Sequence, residues 1–118
     1  MKIYIVDDDE QIIGLMTTLL EAAGHRVSSN TVGELALSEI VAQRPNCVLV
    51  DLMMAAVDGL ALCRELRQRK ETENVKIVMV SARTADHWKQ QAAELDASYL
   101  EKPVDPQTFA AEIERLVA

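Results

Sequence analysis

The chain has 118 residues, 49% of them hydrophobic and 26% charged, with a formal net charge of −7 and a pI near 4.7. That length suits one domain with one core, the acidity speaks against direct nucleic-acid binding, and no apolar run approaches the roughly 20 residues that span a bilayer. The opening "MKIYIV" enters a strand at once without a signal peptide, and Cys47 and Cys63 lie in apolar stretches that read as core rather than a metal site. A single cytoplasmic domain over 1–118, with no membrane contact, is expected.

Residues 2–6 read as a strand that runs straight into Asp7, Asp8, Asp9 and Glu10. Acidic side chains suit the first turn of a helix, where the macrodipole is positive. That accounts for Asp9 and Glu10, and less well for Asp7 and Asp8 at the strand's end. A helix over 10–23 follows, with Ile12, Met16, Leu19, Leu20 and Ala23 at helical spacing and Gly24 as its stop. "RVSS" at 26–29 is a short strand. "TVGE" at 31–34 has capping-box spacing, with Thr31 as cap and Glu34 answering it, and opens a helix to about Gln43, ahead of Pro45.

"NCVLVD" is a continuous apolar run, as expected of a strand buried on both faces. The next helix, 59 to about 69, places Leu62, Cys63 and Leu66 inward, and Arg64, Arg67, Arg69 and Lys70 form its wet outer face. "VKIVMVS" is another apolar strand. Residues 85–95 form a helix with Trp88, Ala92 and Leu95 on one side, and "SYL" is a short strand. The last helix, 106–117, uses Phe109, Ile113 and Leu116, with Pro106 in its first turn.

Strand and helix alternate five times, which implies a parallel sheet covered on both faces and joined by right-handed crossovers. In such sheets the ligand site lies at the carboxyl ends of the strands. The first strand ends at Asp7 and Asp8, the third at Asp51, the fourth at Ser81, and the fifth just before Lys102. Three gathered carboxylates need a cation, because two like charges about 4 Å apart cost on the order of 4 kcal/mol at an effective dielectric of about 20. Mg²⁺ suits oxygen ligands and keeps several waters, and the absence of neighbouring His or Cys argues against zinc. A carboxylate beside Mg²⁺ and a lysine can act as a nucleophile toward phosphorus, and Ser81 has a hydroxyl to donate to the product.

The motifs "VDDDE", "VLVDLMMAAVDG", "VMVSA" and "YLEKP" stand in order, and the chain resembles the receiver domain of two-component response regulators over essentially its whole length. The resemblance implies a flavodoxin-like (βα)5 fold with a five-stranded parallel sheet of order 2-1-3-4-5. It implies that Asp7 and Asp8 hold Mg²⁺, that Asp51 is the phosphoacceptor, and that Met53 lends a backbone carbonyl to the metal. Ser81 matches the hydroxyl residue, Lys102 the basic residue, and Lys102–Pro103 the place of a cis peptide bond. Tyr99 matches the aromatic whose rotamer follows the hydroxyl.

The implied function is a phosphorylation-controlled switch. A sensor histidine kinase or histidine phosphotransfer protein donates the phosphoryl group. The face of the fourth helix, fifth strand and fifth helix then turns toward an effector domain or protein, or toward a second copy in a phosphorylation-dependent homodimer. No independent substrate turnover is expected, only self-phosphorylation and slow self-dephosphorylation. Met53, two after the acceptor, offers no polar group to orient a water, and Arg83, two after Ser81, can reach phosphoryl oxygens, so both are expected to lengthen the lifetime. Three positions depart from the family pattern. Ala55 and Ala56 follow Met54 where a proline is usual at 55, Asp96 stands for a glycine in a left-handed turn, and Ser81 stands for threonine.

Other readings compete. The acids can be helix caps on solvated loops, Arg83 can point to solvent, Tyr99 can be a plain strand aromatic, and Trp88 can simply pack on the sheet. A hydrolase with an aspartyl-phosphate intermediate needs a second acid where Met53 stands. A degenerate receiver that only docks would lack one of the acids or the lysine. A dinucleotide or flavin site needs a glycine-rich loop after the first strand, and none is present.

Overall fold

The computed structural model describes residues 1–52, 54, 58–82 and 86–118. The elements are β1 (Lys2–Val6), α1 (Glu10–Ala22), β2 (Arg26–Asn30), α2 (Gly33–Gln43), β3 (Cys47–Val50), α3 (Gly59–Gln68), β4 (Lys76–Ser81), α4 (Asp86–Glu94), β5 (Ala97–Glu101) and α5 (Phe109–Val117). The five strands pair in parallel in the order β2-β1-β3-β4-β5, as expected. Among the described residues no helix is long and apolar enough to cross a membrane.

The continuous apolar runs explain the layering. Side chains alternate across a strand, so Tyr4, Val6, Val48, Val50, Ile77 and Met79 face one layer, built with α2, α3 and α4. Ile3, Ile5, Cys47, Leu49, Val78 and Val80 face the other, built with Ile13, Met16 and Leu20 of α1 and Phe109 and Ile113 of α5. Trp88 and Leu95 pack half-buried against the first layer, and Ala92 is the buried residue of α4. In that layer the Tyr4 hydroxyl donates to the Glu39 carboxylate of α2, and burial holds the phenol well above its ordinary pKa.

Local chemistry corrects several boundaries. The inward stripe of α1 runs through Ile13, Met16 and Leu20, while Ile12 and Leu19 sit at its edge and Ala23 is exposed. No capping box forms at 31–34. The N-cap of α2 is Val32, without a side-chain bond, and just ahead of it Asn30 Oδ1 accepts the Val32 N–H at 2.8 Å. Pro106 lies in a turn ahead of α5, which starts at Phe109; the Asp105 carbonyl accepts the Thr108 and Phe109 N–H groups there. Nor do the four basic residues at 64–70 share one wet helical face. α3 ends at Gln68, and Arg67 is half-buried with its guanidinium bonded to backbone carbonyls.

Both cysteines are buried in the core, Cys47 in one layer and Cys63 in the other. Burial pushes each thiol up to about 12 from its ordinary value of 9.0. The unfolded chain therefore loses these protons first, so the stability the thiols contribute is complete below about pH 9 and is lost as pH rises from there toward 12. A thiol reagent at pH 8 should leave both cysteines unmodified in the folded chain and modify both in urea. Rapid labelling of either one in the native protein would contradict their burial.

Candidate functional site

The parallel register assembles the site. Val6 and Val50 are paired partners on adjacent strands, so Asp7 and Asp51, one residue beyond each, emerge side by side at the carboxyl edge. The Asp51 N–H donates to the Val6 carbonyl at 2.9 Å and extends this pairing past the strand ends. On the far side Ser81 pairs with Glu101, and the Lys102 N–H donates to the Ser81 carbonyl at 2.8 Å. Four strands thus deliver Asp7, Asp51, Ser81 and Lys102 to one rim.

Asp7 is 1% exposed and Asp51 8%, whereas Asp8 faces solvent. One carboxylate oxygen from each of the three lies within 4.8 Å of the others. The Lys102 ammonium donates to Asp7 Oδ2 at 2.9 Å and lies 3.8 Å from Asp51 Oδ2. The other Asp7 oxygen accepts the Asp9 N–H at 3.0 Å. Asp9 itself caps α1, its side chain accepting from the N–H groups of Gln11 and Ile12. The acidic run therefore divides its labour: one carboxylate caps a helix, while Asp7 and Asp8 turn to the rim.

Three carboxylates against one ammonium leave a formal −2, and buried charge is tolerated only when it is paired. The donor set is all oxygen, partly wet on the Asp8 side, which fits a hard divalent cation that keeps some of its waters. Ser81 is buried at the end of β4, between the strands that carry Asp51 and Lys102. Tyr99 lies on β5 opposite Met79 and packs half-buried on the α2–α3–α4 layer. The Lys102–Pro103 bond is cis, and Asp96 adopts φ 54. Met53 and Arg83, with Ala55, Ala56 and Ala85, lie outside the described residues.

Gly59 is a site residue that sequence reasoning treated only as a helix start. A Cβ there would sit 2.2 Å from the Asp51 carbonyl oxygen and 3.0 Å from the Leu52 Cα. Its N–H meanwhile donates to the Leu52 carbonyl at 3.0 Å, holding the start of α3 against the end of β3. The obstructing atoms are backbone, so they cannot swing aside. Gly59→Ala should cost about 2–3 kcal/mol by overpacking, read as a lower urea midpoint, and should slow modification of Asp51. A midpoint within a few tenths of a kcal/mol of the parent would show that the loop relaxes freely.

Residues 3–114 match the family profile of the response regulator receiver domain. The chain belongs to that receiver family. This receiver domain is 32% identical, over 98% of its length, to the alkaline phosphatase synthesis transcriptional regulatory protein PhoP of Bacillus subtilis, and covers 48% of that protein. It is also 32% identical over 98% of its length to the phosphate regulon transcriptional regulatory protein PhoB of Rhizobium meliloti, covering 52% of it. The receiver domain thus spans about half the length of these curated relatives.

Among solved structures, the chemotaxis protein CheY4 of Vibrio cholerae superposes with a TM-score of 0.91 at 25% identity, over 98% of this chain and 97% of that one. The BeF3-activated N-terminal receiver domain of Klebsiella pneumoniae RstA gives 0.88 at 27% identity, over 99% and 98%. Receiver domains act in general as phosphorylation-controlled switches of two-component signalling, and this chain has the family's fold.

Proposed function

We propose that this receiver accepts a phosphoryl group on Asp51 from the phosphohistidine of a sensor kinase or phosphotransfer protein. The observation that carries the reading is the Lys102 ammonium lying between Asp7 and Asp51, 2.9 and 3.8 Å away, at the ends of two paired central strands. An Asp51 carboxylate oxygen attacks phosphorus, the P–N bond breaks, and the electron pair leaves on the imidazole nitrogen, which takes up a proton from solvent. Asp7, Asp8 and Asp51 would hold Mg²⁺, joined by the Met53 backbone carbonyl, and the bound ion supplies positive charge where the phosphoryl oxygens gather it.

Lys102 serves from the other side. It is fixed by Asp7 before the reaction and lies within reach of the new oxyanion afterwards. Burial of Asp7 and Asp51 keeps water scarce around the reacting atoms and strengthens each of these charge interactions. Ser81, at the end of β4, donates its hydroxyl to the phosphoryl group, and Tyr99 follows it inward. The α4–β5–α5 face then favours a partner-binding form, whether the partner is an effector or a second phosphorylated copy. Arg83 and Met53, flanking the site by sequence position, lengthen the life of that form.

Acetyl phosphate with Mg²⁺ tests the reading without needing the kinase. Intact-mass spectra should show one phosphoryl group per chain, and chelation of the metal should suppress it. A chain that stays unmodified under conditions in which it remains folded would defeat the proposal.

A further inference from the structure

Arg67 stands outside the phosphoryl chemistry, yet it is the most heavily bonded side chain among the described hydrogen bonds. From the last turn of α3, its Nε donates to the Leu95 carbonyl at 2.8 Å and its Nη2 to the Asp96 carbonyl at 3.0 Å. Its Nη1 donates to the carbonyls of Glu73 at 3.0 Å and Val75 at 2.5 Å. A planar fork of fixed donors suits such a task, and a lysine could not meet four acceptors at once. The Leu95 and Asp96 carbonyls follow directly on the C-terminal end of α4, where a cation also meets the negative pole of the helix. Glu73 and Val75 form the lead-in to β4.

The rest of α4 is held differently. Its buried residue is Ala92, near the same C-terminal end. In its first half Asp86, His87, Lys89 and Gln90 are exposed, and Trp88 is half-buried. The Lys89–Glu101 ion pair there joins two exposed side chains, a kind of contact that contributes little. One end of the helix is therefore bonded to α3 and, through the same guanidinium, to the lead-in of β4, and among the described residues the other is seen to rest on one indole and a solvated pair.

We propose that Arg67 is a positioning residue of the switch: it fixes the C-terminal end of α4, so that α4 moves by swinging about Leu95–Asp96 while its first half travels. The trigger of the swing rests on the phosphoacceptor reading above; the anchoring does not.

Amide exchange followed by NMR on the full chain tests the anchor without any phosphoryl group. The Leu95 and Asp96 N–H groups are bonded to the Ala92 and Ala93 carbonyls, and the Val75 N–H to Thr72. In Arg67→Met these three should exchange about 10- to 100-fold faster, in keeping with lost charged hydrogen bonds, and in Arg67→Lys by less. Ile5 and Leu49 should keep the parent's rate. Equal acceleration in β1 and β3 would reveal general loosening and overturn the proposal, as would no acceleration at all. If Arg67→Met does not fold, the Arg67→Lys comparison decides by the same criterion. In the parent, beryllofluoride with Mg²⁺ should displace the resonances of residues 86–90 and leave Leu95 and Asp96 in place; equal displacement at both ends would overturn the pivot. Silence everywhere would instead defeat the acceptor assignment, with the exchange comparison still deciding the clamp.

Discussion

Asp51→Asn should abolish Mg²⁺-dependent labelling by acetyl phosphate while the chain stays folded. An amide is isosteric with the carboxylate but is not a nucleophile toward phosphorus, so the loss should be complete rather than partial. Folding should survive because one of three like charges disappears from a rim whose only close ammonium among the described residues, Lys102, is bonded chiefly to Asp7. The discriminating measurement is the mass of the Asn variant after prolonged incubation, beside its circular dichroism spectrum. One phosphoryl group on a folded Asn variant would move the acceptor elsewhere. Asp8→Asn is the useful companion, since it should weaken Mg²⁺ binding and spare the acceptor itself.

Lys102→Met should damage both stability and transfer. Asp7 is 1% exposed, and its Oδ2 loses a 2.9 Å ammonium partner, while among the described residues its other oxygen keeps the Asp9 N–H bond. Removing one partner of a buried pair leaves an uncompensated charge, here worth about 2–3 kcal/mol because the lysine end is partly solvated. The urea midpoint should fall by about 1–2 M. Added Mg²⁺ should recover part of that fall, because a divalent ion at the rim replaces the missing charge, whereas labelling should stay slow without the ammonium near Asp51. An unchanged midpoint with lost labelling would confine Lys102 to the reaction; no change in either would remove it from the site.

Much of the architecture could be read from the residues because the informative signals were long or redundant. The apolar runs "KIYIV", "CVLV" and "KIVMVS" are buried on both faces and could only be central parallel strands. Once the strand order is set, the register carries Asp7 and Asp51 together without any further signal. What could not be read was local competition among short polar contacts. Thr31 and Glu34 have the spacing of a capping box, but Asn30 accepts the Val32 N–H and the helix is capped at Val32, a local geometry that no four-residue pattern records. Arg67 looked like one of four solvated cations, since nothing in "CRELRQRK" shows that its neighbours in space are the carbonyls of a distant turn. Gly59 was hidden for the same reason, as its lack of a side chain matters only against the Asp51 backbone.

The sheet divides the interior into two clusters, and β1, β3, β4 and β5 supply residues to both. That partition makes the domain modular in a practical sense. The acid rim is held in register by β1 and β3, whose backbones serve both sides, whereas the exteriors of α2, α3 and α4 belong to one side alone. Those exteriors are therefore open to revision, by drift or by an engineer, with the opposite cluster left as an unaltered keel. A receiver of this construction can be re-addressed to a new listener without retuning the chemistry that sets it.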